Sequence, residues 1–147
     1  MKHAVKRIYV DTSVFGGVFD EEFKEPSQKF FEQVKQGLFE LVISGVVEGE
    51  ISDAPDNVRN LYEHMLQYAN VVEVTEQSLR LQNAYLNAKV VSKKWADDAL
   101  HVAVATVSVC DMIVSWNFKH IVHFEKIPLY NAVNILTDIK QLTFIHL

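Results

Sequence analysis

Arg7-Ile8-Tyr9-Val10-Asp11-Thr12-Ser13 reads as a short buried strand that carries one carboxylate to its C-terminal end and then turns. Ile8, Tyr9 and Val10 follow one another without the polar alternation of a half-exposed strand, which suits a central strand covered on both faces. An Asp directly after such a run is a poor core residue, so it is expected at the mouth of the sheet. Open α/β sheets bind ligands there, outside the carboxyl ends of their strands. A second reading stands beside this one: Asp, Thr and Ser all cap the N-terminus of a following turn well.

Working outward, Phe15-Gly16-Gly17-Val18-Phe19 and the acidic run Asp20-Glu21-Glu22 read as an irregular loop, with the two glycines supplying backbone flexibility. Pro26-Ser27 opens a helix that packs through Phe30, Phe31 and Val34 and stops at Gly37. Leu38 to Ser44 is the second strand, and Gly45 to Ser52 a short helix. After the break at Pro55, a helix from Val58 carries Leu61, Tyr62, Met65, Leu66 and Ala69 on one stripe. Val71 to Val74 is a third strand. Thr75 caps a helix bearing Leu79, Ala84, Tyr85 and Ala88, which Ser92-Lys93-Lys94 interrupts. From Ala96 to about Val109 the next helix is apolar on nearly all sides after its first turn, and such a helix belongs in the middle of a domain. Asp111 to Ser115 is a fourth buried strand, and Val133 to Leu136 and Thr143 to Leu147 are strand-like. The alternation predicts one α/β domain over 1–147, a three-layer sandwich with a mostly parallel central sheet flanked by helices.

Composition agrees with such a domain. The 147 residues are enough for a real core, and 49% apolar with 22% charged is ordinary globular usage. The net charge of −5, from 14 Lys+Arg against 19 Asp+Glu, argues against holding nucleic acid on a broad basic surface. It leaves open an enzyme that reaches phosphates through bound cations. The single Cys110 has no internal partner and reads as a buried thiol in a reducing cytoplasm. No apolar segment approaches the ~20 residues that span a bilayer. Lys2, His3, Lys6 and Arg7 are not followed by the long apolar run of a signal peptide, so a cytoplasmic protein without a membrane partner is expected.

Three acids occupy comparable positions. Asp11 ends the first strand, Glu50 lies in the short helix after the second, and Asp98, beside Asp97, sits in the first turn of the most buried helix. They are far apart in the chain, and a parallel sheet would bring strand ends and helix starts to one edge. Like charges gathered there repel unless a cation compensates them. Carboxylates without Cys or a dense His cluster favour Mg²⁺ or Mn²⁺ over zinc. A solvated face for Glu50 with Asp53, and helix-start electrostatics for Asp97 with Asp98, are the plainer readings of these acids taken alone. At this level Glu48 competes with Glu50, and the residues reach no further than an acidic site.

Asp11-Thr12-Ser13-Val14-Phe15, Ile43-Ser44-Gly45-Val46-Val47-Glu48-Gly49-Glu50-Ile51, Asp98-Ala99-Leu100-His101-Val102-Ala103 and Asp111-Met112-Ile113-Val114-Ser115-Trp116-Asn117-Phe118 follow in the order of a PIN domain, which this chain resembles over roughly residues 7 to 121. The Ser-Trp-Asn-Phe-Lys-His segment is similar to a prokaryotic subgroup that includes VapC-type toxin ribonucleases. The resemblance implies a Mg²⁺- or Mn²⁺-dependent hydrolysis of single-stranded RNA, with Asp11, Glu50 and Asp98 as metal-site acids. It matches Glu50 rather than Glu48, Asp98 rather than Asp97, and Ser115 to the Ser/Thr at the last strand end. Asn117 falls where many members carry a fourth Asp, a departure that removes one negative charge and weakens a second metal. Ser13 and Ser115 would hydrogen-bond the carboxylates. A small antitoxin and a homodimer are the implied protein partners, and a PIN-fold module that binds RNA or protein without cutting is the alternative. A haloacid-dehalogenase-like phosphatase would need a second Asp where Ser13 stands.

Around this site Lys93, Lys94 and Lys119 read as solvated charge that could also meet phosphates, and Trp116 as a packed or base-stacking ring. His101 reads as a packed or hydrogen-bonded core histidine. His120 and His123 have the spacing of one helical face but are too few for a zinc site.

Overall fold

A computed structural model describes residues 5–137 and 143–145. Lys2 and His3, and the last two residues of the expected Thr143–Leu147 strand, lie outside them. Among the described residues five strands form one sheet: β1 (Lys6–Val10), β2 (Phe39–Ser44), β3 (Ala69–Val72), β4 (Met112–Val114) and β5 (Thr143–Ile145). Their spatial order is β3-β2-β1-β4-β5 and every pairing is parallel. In register, Ile8 stands opposite both Leu41 and Met112, and Val10 opposite Val114. Tyr9, Val10, Leu41, Val42 and Ile113 are fully buried. Each such side chain stabilises the fold by about 1.5–3 kcal/mol through burial alone.

The chain winds from β1 through β2 to β3 in one direction, then crosses back to β4 and β5. Right-handed crossovers place the helices of the first half on one face and those of the second half on the other. The first group is α1 (Thr12–Gly17), α2 (Lys24–Lys35), α3 (Gly45–Ile51) and α4 (Asp56–Met65); the second is α5 (Glu76–Asn87), α6 (Ala96–Val107) and α7 (Lys126–Leu136). Packing follows that division: α1 lies on α2 and α4, and α5 lies on α6 and α7. Helix α3 touches α6 as well as α4, bridging the two groups at the end of the sheet. The order of the strands reverses between β1 and β4, which makes that gap the topological switch point where α/β sheets bind ligands.

Local sequence explains several elements directly. Thr75 caps α5 in a capping box: its Oγ1 accepts from Ser78 N at 3.1 Å, and Ser78 Oγ accepts from Thr75 N at 2.9 Å. In α6 the buried run His101 to Thr106 places that helix in the interior, as its composition predicts.

Other expectations are corrected. Phe15 to Gly17 belong to α1 and are no loop, because Val14 and Phe15 are drawn into the core beside Phe31 and Tyr62. Gly17 provides a close approach rather than flexibility: a Cβ there would lie 2.6 Å from Trp116 Nε1 and 2.7 Å from Ser27 Oγ. The α4 helix ends at Met65, and Ala69 begins β3, so the third strand runs two residues earlier than its valines suggest. In α5 the buried leucine is Leu81, while Leu79 is exposed. Val133 to Leu136 are helical in α7, whose buried Tyr130, Val133 and Asn134 recur with helical spacing.

Candidate acidic site

Strand β1 ends at Val10 and sets Asp11 at the switch point, 4% exposed. Asp11 stands at the N-cap position of α1, yet its side chain makes no capping bond. It accepts instead from Ser13 Oγ at 2.6 Å, with Ser115 as a second hydroxyl partner. Ser115, fully buried just past β4, lies 3.5 Å from Ser13 Oγ and accepts from Asn117 N at 2.9 Å. Ser13 Oγ in turn accepts from Trp116 N at 2.9 Å. The ends of β1 and β4 are thus stitched together around one carboxylate. Burial drives the pKa of Asp11 up and Glu50 adds to this, against the opposing pull of His101 and the two serines.

Ser44 caps α3 by accepting from Val46 N, and of the two exposed acids of that helix, Glu48 and Glu50, Glu50 bonds to Thr12 and His101. Glu50 bonds to His101 Nε2 and accepts from Thr12 Oγ1 at 3.2 Å. His101 is 1% exposed, and its Nδ1 lies 2.7 Å from Tyr9 Oη, which reaches Ser44 Oγ at 2.8 Å. A chain Glu50–His101–Tyr9–Ser44, exposed at Glu50 and buried from His101 onward, therefore ties α3, α6, β1 and β2 together. Burial alone would lower the pKa of His101, but the bond to Glu50 and the charges of Asp11, Glu50 and Asp98 raise it. For Glu50 the order reverses: burial pushes its pKa up, and the bond and charge of His101 with the Thr12 bond bring it below the ordinary value.

Asp98 is half-buried in the first turn of α6, three residues before His101. Its principal bond is to the Asn117 side chain, and burial with Glu50 raises its pKa against the pull of Asn117, His120 and His101. Asn117 Oδ1 accepts from His120 N at 3.0 Å, so the amide shapes the loop after β4 with one end and holds Asp98 with the other. An aspartate at that place would have no N–H to offer. Asp97 is exposed.

The expected residues Asp11, Ser13, Glu50, Asp98, Ser115 and Asn117 are therefore brought to one edge of the sheet. Their side chains are not already clustered as ligands: among the described residues no three His, Cys, Asp or Glu side chains are grouped to hold a metal ion. Glu50, Asp98 and Asn117 line an open cleft of ≈ 490 Å³ together with Lys94, Trp95, Asp97, Lys119 and His120. Lys93 is exposed in the turn Lys93–Trp95 but is not among the lining residues. Trp116 is a core residue, 8% exposed, stacked on Phe23 at 4.3 Å and donating from Nε1 to Ser27 Oγ at 2.8 Å. His120 and His123 lie in the turns between β4 and α7, not on one helix. Sequence reading missed Tyr9, Thr12 and Trp95. No sequence signal marked them, since Tyr9 reads as strand core and the roles of Thr12 and Trp95 depend on partners remote in the chain.

A chain of the VapBC2 complex of Rickettsia felis bound to a DNA fragment from its promoter matches with a TM-score of 0.61 at 12% identity, over 96% of this chain and 98% of that one. A chain of DNA-bound VapBC from Salmonella typhimurium matches with a TM-score of 0.61 at 16% identity and the same coverage. No protein-family model and no curated protein matches the sequence. The likeness is one of fold: a VapC-like PIN arrangement of parallel strands and flanking helices. Among the described residues no helix is long and apolar enough to cross a membrane.

Proposed function

We propose that this chain, with its VapC-like PIN fold, is a metal-dependent endoribonuclease acting on single-stranded RNA, and the toxin of a toxin–antitoxin pair. The observation that supports the reading is that Asp11 and Asp98, remote in the chain, each lie at this edge of the sheet within electrostatic reach of Glu50. Among the described residues no lysine or arginine forms an ion pair with any of the three. Asp11 and Asp98 both have pKa values raised by burial and by a neighbouring carboxylate, the condition that a bound cation relieves.

The donor chemistry, hard oxygens without thiolate, fits Mg²⁺ or Mn²⁺. Asp11 and Asp98 would hold the ion, with Glu50 reaching it directly or through water. A bound divalent ion supplies charge for the phosphate and lowers the pKa of a water. The protein's own part is positional. Ser13 and Ser115 fix the carboxylate of Asp11, Asn117 fixes that of Asp98, and His101 keeps Glu50 ionised and oriented. An ionised Glu50 at the cleft wall is suited to orient the attacking water. Lys94 and Lys119 line the same cleft and suit the RNA backbone.

The test is cleavage of a single-stranded RNA in Mg²⁺ or Mn²⁺, expected to stop with chelator and in Asp11→Asn and Asp98→Asn; a cut that persists in either variant refutes the site. The second reading is a PIN-fold module that binds RNA or a protein without cutting. It is favoured by the commitment of Glu50 to His101 and by the neutral Asn117. Cation-dependent cutting would reject it. The VapBC likenesses support a small antitoxin as partner, and co-purification from the native host with a small protein is the check. A homodimer is proposed alongside, to be read from the mass in solution.

A further inference from the structure

Trp95 lines the acidic cleft and is 39% exposed. Its ring stacks on His120, centroids 4.3 Å apart and planes inclined by 23°. His120 is held at both ends of its backbone: its N–H donates to Asn117 Oδ1 at 3.0 Å, and its carbonyl accepts from the buried Tyr130 hydroxyl at 2.7 Å. His120 Nδ1 is buried and makes no hydrogen bond among the described residues. Trp95 closes the turn Lys93–Trp95 through the bond of its N–H to Ser92 O at 2.9 Å, and the next residue opens α6, which carries Asp98. The indole, the imidazole and the candidate catalytic acid thus stand on one rigid frame.

Cations complete the arrangement. Lys94 Nζ lies 5.1 Å from the centre of the Trp95 ring, and Lys94 and Lys119 line the cleft. A fixed aromatic surface with flanking ammonium groups is how proteins hold unpaired nucleic acid: a base stacks on the ring and the adjoining phosphates meet the cations. A base pair inside a duplex cannot offer that face. Resting on the nuclease reading, and naming how its substrate is held, we infer that the Trp95–His120 stack is a nucleobase platform. It takes one unpaired base beside the scissile phosphate, with Lys94 exchanging its contact over the indole for the neighbouring phosphate. Recognition by this route requires single-stranded nucleic acid and is tolerant of which base is bound.

The experiment measures binding with calcium in place of magnesium, using the full chain, a labelled oligoadenylate and an abasic ribose–phosphate chain of equal length. Trp116 is buried, so quenching of tryptophan emission on adding oligoadenylate reports Trp95. The expected results are quenching in the wild type, binding within a few-fold of wild type but no quenching in Trp95→Phe, and affinity lower by about 10- to 100-fold in Trp95→Ala. The abasic chain should bind the wild type as weakly as oligoadenylate binds Trp95→Ala. Equal affinities of oligoadenylate for wild type and Trp95→Ala, or of the abasic chain and oligoadenylate for wild type, would overturn the inference. Were Trp95→Ala not to fold, the abasic comparison and Trp95→Phe decide it alone. Stacking without any cut would uphold the platform and remove the nuclease. An Asp98-dependent cut with binding unchanged in Trp95→Ala would do the reverse.

Discussion

Asp11 is a buried carboxylate whose surroundings disfavour its charge, and this gives a prediction about stability as well as activity. Its folded pKa lies above the unfolded value of 3.8, so the folded state binds the proton more tightly. The resulting stabilisation is fully present below about pH 3.8 and is lost as pH rises through the folded value. Asp11→Asn keeps an oxygen for Ser13 and removes the charge. The variant should be inactive yet more stable than wild type near neutral pH. That advantage should vanish below about pH 3.8, and urea denaturation at the two pH values checks it. An Asp11→Asn protein less stable at neutral pH would mean that the carboxylate is compensated in the folded state. Asp11 stood out in the sequence because it follows an apolar run that has no use for a charge, whereas Asp98 was separated from Asp97 only by the motif Asp98-Ala99-Leu100-His101 of the resemblance. The relay through His101 and Tyr9 and the exposure of Trp95 were not legible there, since both depend on side chains that meet only across α6, β1 and the loop after β4.

At the scale of elements, three helices end in the same way. After α2, α5 and α6 the chain turns through a left-handed residue, and the amide beyond it bonds back into the last turn: Leu38 N to Gln33 O, Val90 N to Tyr85 O and Cys110 N to Ala105 O. The left-handed residues are Gly37, Lys89 and Val109, with φ of 78°, 59° and 57°. Only the first announces itself in sequence, which is why α2 ended where expected and α6 was read two residues too long, to Val109. A β-branched residue is strained at such a φ. Val109 is exposed, so Val109→Gly removes the strain without opening the core. The variant should be more stable by about 1 kcal/mol in thermal or urea unfolding, relief of the left-handed strain exceeding the entropy lost with glycine. The paired glycines of α1 make a sharper contrast. Gly16→Ala meets nothing within 4 Å and should stabilise the helix by about 0.5–1 kcal/mol, whereas Gly17→Ala drives a methyl into Trp116 and Ser27 and should cost about 1–3 kcal/mol. Equal effects of the two would remove the close approach of α1 to the Trp116 loop.

For the whole molecule, the reversal of strand order between β1 and β4 is what brings acids remote in the chain to one edge of the sheet. The alternation of strands and helices made a parallel α/β sheet legible, but the strand order rests on pairings between segments remote in the chain, such as Ile8 with Met112. With that order, Asp11 and Ser115 arrive within hydrogen-bond reach of each other from strands of the two halves, while α3 and α6, which touch, bring Glu50 and Asp98 to the same edge. A divalent ion held there would link both halves and bind the folded chain only, so its binding free energy becomes folding free energy. At a hundred times its dissociation constant, that linkage is worth about 2.7 kcal/mol, or roughly 5–10 °C in midpoint for a domain of this size. Thermal unfolding of the wild type should therefore rise with added Mg²⁺ or Mn²⁺, in proportion to the logarithm of concentration once the site is saturated. In Asp11→Asn and Asp98→Asn the rise should be lost, even though Asp11→Asn starts from a higher midpoint near neutral pH. Because the measurement needs neither substrate nor turnover, it separates ion binding from cleavage. A wild-type midpoint that ignores both ions would leave the acids at the switch point as a strained cluster with another use.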